Sequence, residues 1–303
     1  MLPVRRDAGW GDEMPEPTDI IAGLACWAGR VTIAPLAGGL TNRNYRVEDG
    51  DGRWVVRLGT DIPHHHILRF NELSASRAAA TAGLSPAVKH AEPGILVTGF
   101  IDGETLAPDG VRQRLPQVLD LVRRAHREIP DHIRGPVLAF WVFHVVRDYA
   151  HALAGRRPAG ELTDLLGRAV RLEEAVGPVD LVFGHNDLLA ANFIDDGRRL
   201  WLVDWDYAGF NSPLFDLGGL AANNGFSAAE EAAMLDGYFG RAPDAGLWHR
   251  YAAMKAAAAL REAMWSMVSE IHSTLAVDYA AYTRDNLQRF ETAWGDFQRM
   301  QRS

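Results

Sequence analysis

Three polar side chains, spaced as in a phosphoryl-transfer site, are the most informative feature of the sequence. Asp187 and Asn192 stand in the segment His185-Asn-Asp-Leu-Leu-Ala-Ala-Asn192, and Asp204 begins the later cluster Asp204-Trp-Asp-Tyr. In-line phosphoryl transfer needs a carboxylate to orient and deprotonate an acceptor hydroxyl, and it needs hard oxygen ligands for Mg²⁺. The Asp-x-x-x-x-Asn spacing matches a kinase catalytic loop. We therefore expect Asp187 to be the base and Asn192 and Asp204 to bind Mg²⁺.

Short apolar runs precede both polar clusters and predict the strands that position them. Asp180-Leu-Val-Phe183 comes before the first cluster and Leu200-Trp-Leu-Val203 before the second, with the turn sequence Asp195-Asp-Gly197 between them. An isolated Asp or Asn at a strand end is often only a turn former. Two strands paired through this turn would instead bring all three polar side chains to one end of a hairpin, as the chemistry requires.

The order of predicted elements indicates an α+β fold with two lobes. Up to about residue 98 the chain alternates short strands with Gly/Asp turns and one helical stretch, whereas long Ala/Leu/Arg-rich helical stretches dominate from about Pro108. Segregated strands and helices are typical of α+β proteins. We predict a small β-rich N-terminal lobe over residues 1–98, a hinge at 99–103, and a larger, mainly helical lobe over 104–303.

Composition excludes several functional classes. The formal net charge of −8 argues against nucleic acid as a partner, because phosphate backbones bind basic surfaces. No apolar stretch approaches the roughly 20 residues of a membrane span, and no apolar region typical of a signal peptide follows Arg5 and Arg6. Cys26 is the only cysteine, so an intrachain disulfide is impossible. These features favour a cytoplasmic enzyme and leave the oligomeric state open.

The motifs resemble those of the choline/ethanolamine kinase family. The resemblance is carried by the His185–Asn192 segment, by Trp201-Leu-Val-Asp-Trp-Asp-Tyr-Ala-Gly209 and by Pro213-Leu-Phe-Asp-Leu217. This family belongs to the larger aminoglycoside-phosphotransferase group with a protein-kinase-like fold. The resemblance implies ATP and Mg²⁺ as cofactors and a small amino alcohol as acceptor. It also implies that His185 supports the catalytic loop and that Asp216 holds the loop backbone.

The nucleotide site is predicted from the order of a glycine turn and a cationic strand. Gly38-Gly-Leu-Thr-Asn42 resembles the family's phosphate loop, since glycines let backbone N–H groups approach an anion. Arg57 follows on a predicted strand where protein kinases have lysine, and Glu72 on the next helix is its predicted partner. The predicted ATP-binding residues are Gly38, Gly39, Thr41, Asn42, Arg57, Glu72, Phe100 and Ile101.

The acceptor site is less clearly defined. The resemblance predicts contacts from Asp206, Tyr207, Trp265 and Tyr279, because a quaternary ammonium is held by aromatic faces with a carboxylate nearby. Glu262 stands where a second tryptophan of the family's cage is expected.

The acceptor therefore stays open between choline, which we favour, ethanolamine and another amino alcohol. The alternatives are an aminoglycoside or other small-alcohol phosphotransferase and a non-catalytic nucleotide-binding regulator. The segment His64-His-His66 does not predict a metal site, since consecutive side chains point in different directions.

Overall fold

Strands dominate the first part of the chain and helices the second, which confirms the predicted α+β class. The computed structural model describes residues 16–36, 42–273 and 277–301. The strands are β1 Thr32–Leu36, β2 Arg43–Glu48, β3 Arg53–Leu58, β4 Val88–Glu92, β5 Ile95–Gly99, β6 Glu104–Thr105, β7 Val182–Gly184, β8 Phe193–Asp195, β9 Leu200–Leu202 and β10 Gly209–Asn211. The helices are α1 Pro17–Ala22, α2 Arg69–Thr81, α3 Pro108–Gln113, α4 Leu115–His132, α5 Val142–Leu153, α6 Ala159–Val176, α7 Pro213–Asn224, α8 Ala228–Phe239, α9 Ala245–His272 and α10 Tyr279–Met300, with short 3₁₀ helices at Pro63–His65 and Ala190–Asn192.

The first of two compact units contains the described residues up to Gly59 together with Lys89–Phe100. Its sheet has the order β1-β2-β3-β5-β4, and β3 is antiparallel to both β2 and β5. Val56 lies opposite Val97 in this register, and both side chains are fully buried with Val47 and Ile21. Strand side chains alternate between the two faces of a sheet, so these residues form a core on one face.

The second unit contains Thr60–Val88 and the described residues from Ile101 onward. Helix α9 lies at its centre and packs against α5, α6, α7 and α10. Most α9 side chains are small or apolar and are buried on every side of the helix, as expected of a central helix. Within the described residues, each helix is too short or too polar to cross a bilayer.

Helix α2 belongs to this helical unit, where it packs against α4. Residues 60–88 therefore group with the second unit, although we predicted them within the N-terminal lobe. The lobe boundaries and the hinge at 99–103 remain predictions.

Candidate active site

A buried carboxylate on α7 holds the backbone of the loop that carries Asp187. Asp216 accepts hydrogen bonds from the backbone N–H groups of His185 at 2.8 Å and Asn186 at 2.6 Å, and its Oδ2 lies 2.8 Å from Nε2 of His126. Burial alone would raise the pKa of Asp216, but the hydrogen bond from His126 and the other contacts hold it below its ordinary value. The predicted structural role of Asp216 is confirmed.

The start of α7 determines where Asp216 lies. Ser212 is the N-cap, its side chain accepts from the backbone N–H of Leu214, and Pro213 occupies the first helical turn. Proline suits that position because its fixed φ is helical and no hydrogen-bond donor is lost there. Asp216 follows in the same turn, where a negative charge is favoured by the helix dipole.

Asp187 lies in the loop after β7, where three other carboxylates and one arginine influence its charge. Burial raises its pKa to about 8; the Arg261 guanidinium opposes that shift, whereas Glu262, Asp204 and Asp206 add to it. A carboxylate with a raised pKa binds a proton more strongly, which suits a general base acting on a hydroxyl. Asn186, next to it, has the left-handed φ of 64°. This conformation is uncommon outside glycine and recurs at functional sites.

Asn192 and Asp204 lie at one end of a hairpin, as predicted, but the hairpin is not the predicted one. β8 pairs with β9, while β7 pairs with β10. The pairing that we expected between 180–183 and 200–203 is therefore wrong. The true partner, β8, has only three residues and follows directly on a 3₁₀ turn, so its apolar pattern is too short to recognise in the sequence.

The ends of these strands fit a divalent metal that prefers hard oxygen ligands. The backbone N–H of Val203 donates to the carbonyl of Asn192 at 3.0 Å, so Asn192 lies beside the residue that precedes Asp204. Nδ2 of Asn192 donates to the carbonyl of Asp187 at 2.8 Å, so its Oδ1 is the atom that could face a metal ion, and its role as a metal ligand stays a prediction. Asp204 has a left-handed φ of 70°. One amide oxygen and one carboxylate match Mg²⁺, which keeps waters and substrate phosphates as its other ligands.

His185 connects the loop to the end of β9. Its Nε2 donates to the Val203 carbonyl at 3.0 Å, and its ring packs against Trp205 with centroids 4.7 Å apart. Burial lowers the pKa of His185, which favours the neutral ring. These contacts support the predicted role of His185 as a prop for the catalytic loop, and its part in catalysis stays a prediction.

The predicted nucleotide-binding residues are only partly described. Gly38, Gly39 and Thr41 lie outside the described residues, and Asn42 directly precedes β2. Arg57 lies on β3, opposite Asn44 of β2. The ring of Phe100 lies under the Arg53 guanidinium, whose Cζ is 5.2 Å from the ring centroid, and Ile101 follows it in the chain. Their roles toward ATP remain predictions.

Two predicted carboxylates share one arginine in the helical unit. Glu72 and Asp206 are both buried, and Nη1 of Arg69 lies 2.6 Å from the first and 2.9 Å from the second. Nearby, Nδ2 of Asn71 donates to the carbonyl of Ala208 at 2.7 Å and ties α2 to the loop after Asp204. Arg69 and Asn71 were not among the predicted site residues. The assignments of Glu72 to the nucleotide and Asp206 to the acceptor stay predictions.

The three predicted acceptor aromatics contact one another. Nε1 of Trp265 donates to the Tyr207 hydroxyl at 2.8 Å, and the rings of Trp265 and Tyr279 have centroids 6.2 Å apart. His65 stacks on Trp265 with centroids 4.9 Å apart, and Ser273 donates to the Tyr279 hydroxyl. All three aromatics are less than one-tenth exposed. We call Tyr207, Trp265 and Tyr279 the aromatic cluster.

A small pocket, partly open to solvent, lies beside Asp187. Its described walls are Asn186, Asp187, Leu188, Phe215, Asp216, Gly219, Ala222, Asn223, Ala258, Ala259, Arg261, Glu262, Asn286 and Arg289. None of the aromatic cluster is among these walls. Neither Arg261 nor Glu262 was among the predicted site residues, although both stand within four positions of Trp265. The one sequence feature that could have pointed to Glu262 is its position, where the family resemblance predicts a tryptophan.

Comparison with known proteins places this site in a family. The model of the phosphotransferase enzyme family matches residues 32–254. A crystal structure of a choline/ethanolamine kinase family protein from Mesorhizobium loti superimposes with a TM-score of 0.76 at 30% identity, covering 93% of this chain and 97% of that one. The chain belongs to the phosphotransferase enzyme family and, within it, to the choline/ethanolamine kinase family. Such enzymes transfer a phosphoryl group to an alcohol, and their kinase-like fold is the one predicted.

Curated relatives of this family are more distant. Protein LicA from Haemophilus influenzae is 29% identical over 59% of this chain and 55% of its own length. Ethanolamine kinase 2 from Mus musculus is 26% identical over 80% of this chain and 71% of its own length. The chain thus spans little more than half of the LicA protein that it matches.

Proposed function

We propose that this chain transfers the γ-phosphoryl group of ATP to the hydroxyl of a small amino alcohol of the choline and ethanolamine class. The observation that carries the proposal is the convergence around one loop. Asp187 and Asn192 share a hydrogen bond, and the strand pairing places Asn192 beside Val203, which precedes Asp204. Family membership supports the same reaction class.

Asp187 is the proposed general base. Its carboxylate orients the acceptor hydroxyl and takes its proton as the oxygen attacks the phosphorus, a role worth about 10²- to 10⁴-fold in rate. The bonds from Asp216 hold the backbone just before Asp187, so the base needs little reorganisation when the acceptor binds.

Asn192 and Asp204 would hold Mg²⁺ through Oδ1 and a carboxylate oxygen. When bound, the metal neutralises charge on the phosphates. His185 keeps these two loops together through its bond to Val203. Arg57 is proposed to bind the α- and β-phosphates, because a guanidinium offers two parallel N–H groups to an anion.

The names of two relatives bear on the choice between choline and ethanolamine as the acceptor. The family name of the Mesorhizobium loti protein contains both, and the mouse relative is named an ethanolamine kinase. An aminoglycoside is a poorer fit, because the walls of the pocket beside Asp187 mix carboxylates with Arg261 and Arg289 and do not form the broad acidic cleft that a polycationic sugar needs.

The test is Mg²⁺-dependent release of ADP from ATP with choline, ethanolamine, thiamine and kanamycin as separate acceptors. We expect stimulation by choline or ethanolamine and a fall of at least about 100-fold in kcat for Asp187→Asn. Exposed Asp180→Asn is the matched control and should keep normal turnover. Full activity of Asp187→Asn would remove the residue from the base role, and ATP binding without transfer to any acceptor would favour a non-catalytic regulator.

A further inference from the structure

The pocket beside Asp187 contains one acidic side chain that the proposed reaction leaves unassigned. Asp187 is the base, and Asp216 is almost fully buried with its carboxylate bonded to the loop backbone and to His126. Glu262 is the remaining carboxylate among the described walls of the pocket. It is therefore the candidate partner for the positive charge of an amino alcohol.

Two contacts hold the Glu262 carboxylate in place. Nη1 of Arg261 donates to its Oε2 at 2.9 Å, and the Tyr282 hydroxyl donates to its Oε1 at 2.8 Å. Each carboxylate oxygen can accept two hydrogen bonds, so both oxygens keep capacity for a further donor. The side chain is 22% exposed, so a ligand in the pocket can reach it.

The surroundings decide which kind of cation this carboxylate can bind. Arg261 is buried, pairs with Glu262 and lies with its Cζ 4.2 Å from the centroid of the Tyr207 ring. The guanidinium offsets much of the long-range field of Glu262, so attraction depends on direct hydrogen bonding at short range. An ammonium that carries N–H groups can make that contact. A trimethylammonium cannot, because methyl groups surround its charge.

The other walls favour the same type of ligand. A quaternary ammonium is usually held against aromatic faces, but Phe215 is the one aromatic ring among the described walls of this pocket. Asn223 and Asn286 contribute amides instead. A ligand without hydrogen-bond donors would displace water from these polar groups and leave them without a partner. A site of this kind therefore discriminates strongly against such a ligand.

We propose that Glu262 is a specificity-determining residue that accepts hydrogen bonds from the acceptor's ammonium group. The enzyme then prefers amino alcohols that carry N–H donors over choline. This inference rests on the proposed kinase function, and it reverses our sequence-based preference for choline.

The experiment measures kcat and KM for ethanolamine, N-methylethanolamine, N,N-dimethylethanolamine and choline, a series that removes the N–H donors one at a time. We expect kcat/KM to fall along the series by about 10- to 100-fold in total, mostly through KM. Glu262→Gln keeps the shape and removes the charge. It should lower kcat/KM for ethanolamine at least about tenfold and change that for choline less than about threefold. Glu270→Gln on the same helix, where Glu270 pairs with Arg157, is the matched control and should resemble the parent.

The outcomes separate the two proposals. A series in which choline is used as well as ethanolamine, or better, overturns the role of Glu262 and leaves the kinase function standing. A Glu262→Gln variant that loses activity equally on all four alcohols also overturns the role of Glu262, since an equal loss points to a general structural effect. If none of the four is phosphorylated by the parent enzyme in the presence of Mg²⁺ and ATP, the proposed function itself is wrong. The parent series needs no variant, so the predicted preference for N–H donors is tested even if Glu262→Gln does not fold.

Discussion

Replacing Asp216 should both destabilise the protein and slow the reaction, because this carboxylate holds the loop before the base. Asp216→Ala removes the acceptor for two buried backbone N–H groups and for His126. Each buried donor left without a partner costs about 1–3 kcal/mol. Water entering the gap recovers part of this, so we expect a loss of about 3–5 kcal/mol, as for other broken buried charge networks.

The kinetic effect follows from the same contacts. The backbone that precedes Asp187 loses both of its bonds to α7, and a displacement of about 1 Å at a catalytic group can lower the rate about 100-fold. Asp216→Asn keeps one carbonyl oxygen as an acceptor and should lose roughly half as much stability. We expect kcat to fall in both variants and KM for the acceptor to change little, because the Asp216 carboxylate is buried and bonded to the protein.

Urea unfolding measures the stability, and steady-state kinetics with the best acceptor measures kcat and KM. Asp296→Ala on the surface of α10 is the control and should stay within about 0.5 kcal/mol of the parent. The reasoning is refuted if Asp216→Ala is equally close to the parent, or if the alanine and asparagine variants have the same stability.

The remaining predictions concern pH and packing. Burial, aided by the neighbouring His64 and Arg261, lowers the pKa of His65 to about 2, whereas the unfolded chain takes up this proton near 6.5. The folded state is thus neutral while the unfolded state is protonated below 6.5, so stability falls on acidification by up to about 1.4 kcal/mol per pH unit. Urea unfolding at pH 6.5 and 4.5 should show a smaller loss in His65→Gln; an equal loss would contradict this. A Cβ on Gly209 would lie 2.7 Å from the Leu138 carbonyl, so Gly209→Ala should cost about 1–3 kcal/mol. Gly167, exposed on α6 with no atom near its added Cβ, is the control, and Gly167→Ala should be neutral or slightly stabilising.

The sequence was sufficient for the parts of this protein that depend on local patterns. The positions of Asp187, Asn192 and Asp204 follow from residue type and spacing within short segments, and strand and helix classes follow from periodicity. The role of Asp216 came from the resemblance and was confirmed by its bonds. These predictions require only that the chain adopts the family's fold, because they do not depend on which distant side chains meet.

Partners that are distant in the chain could be decided only by the tertiary structure. β8 was too short to recognise, so the hairpin was assigned to the wrong strand. The resemblance named Trp265 as an acceptor contact, and only packing against Tyr207 shows that its indole is buried and bonded. Glu262 could be noticed as a departure from the family, but its position beside Asp187 depends on how α9 and the catalytic loop meet. Side-chain direction and electrostatic surroundings come from such long-range packing, which residue spacing does not encode.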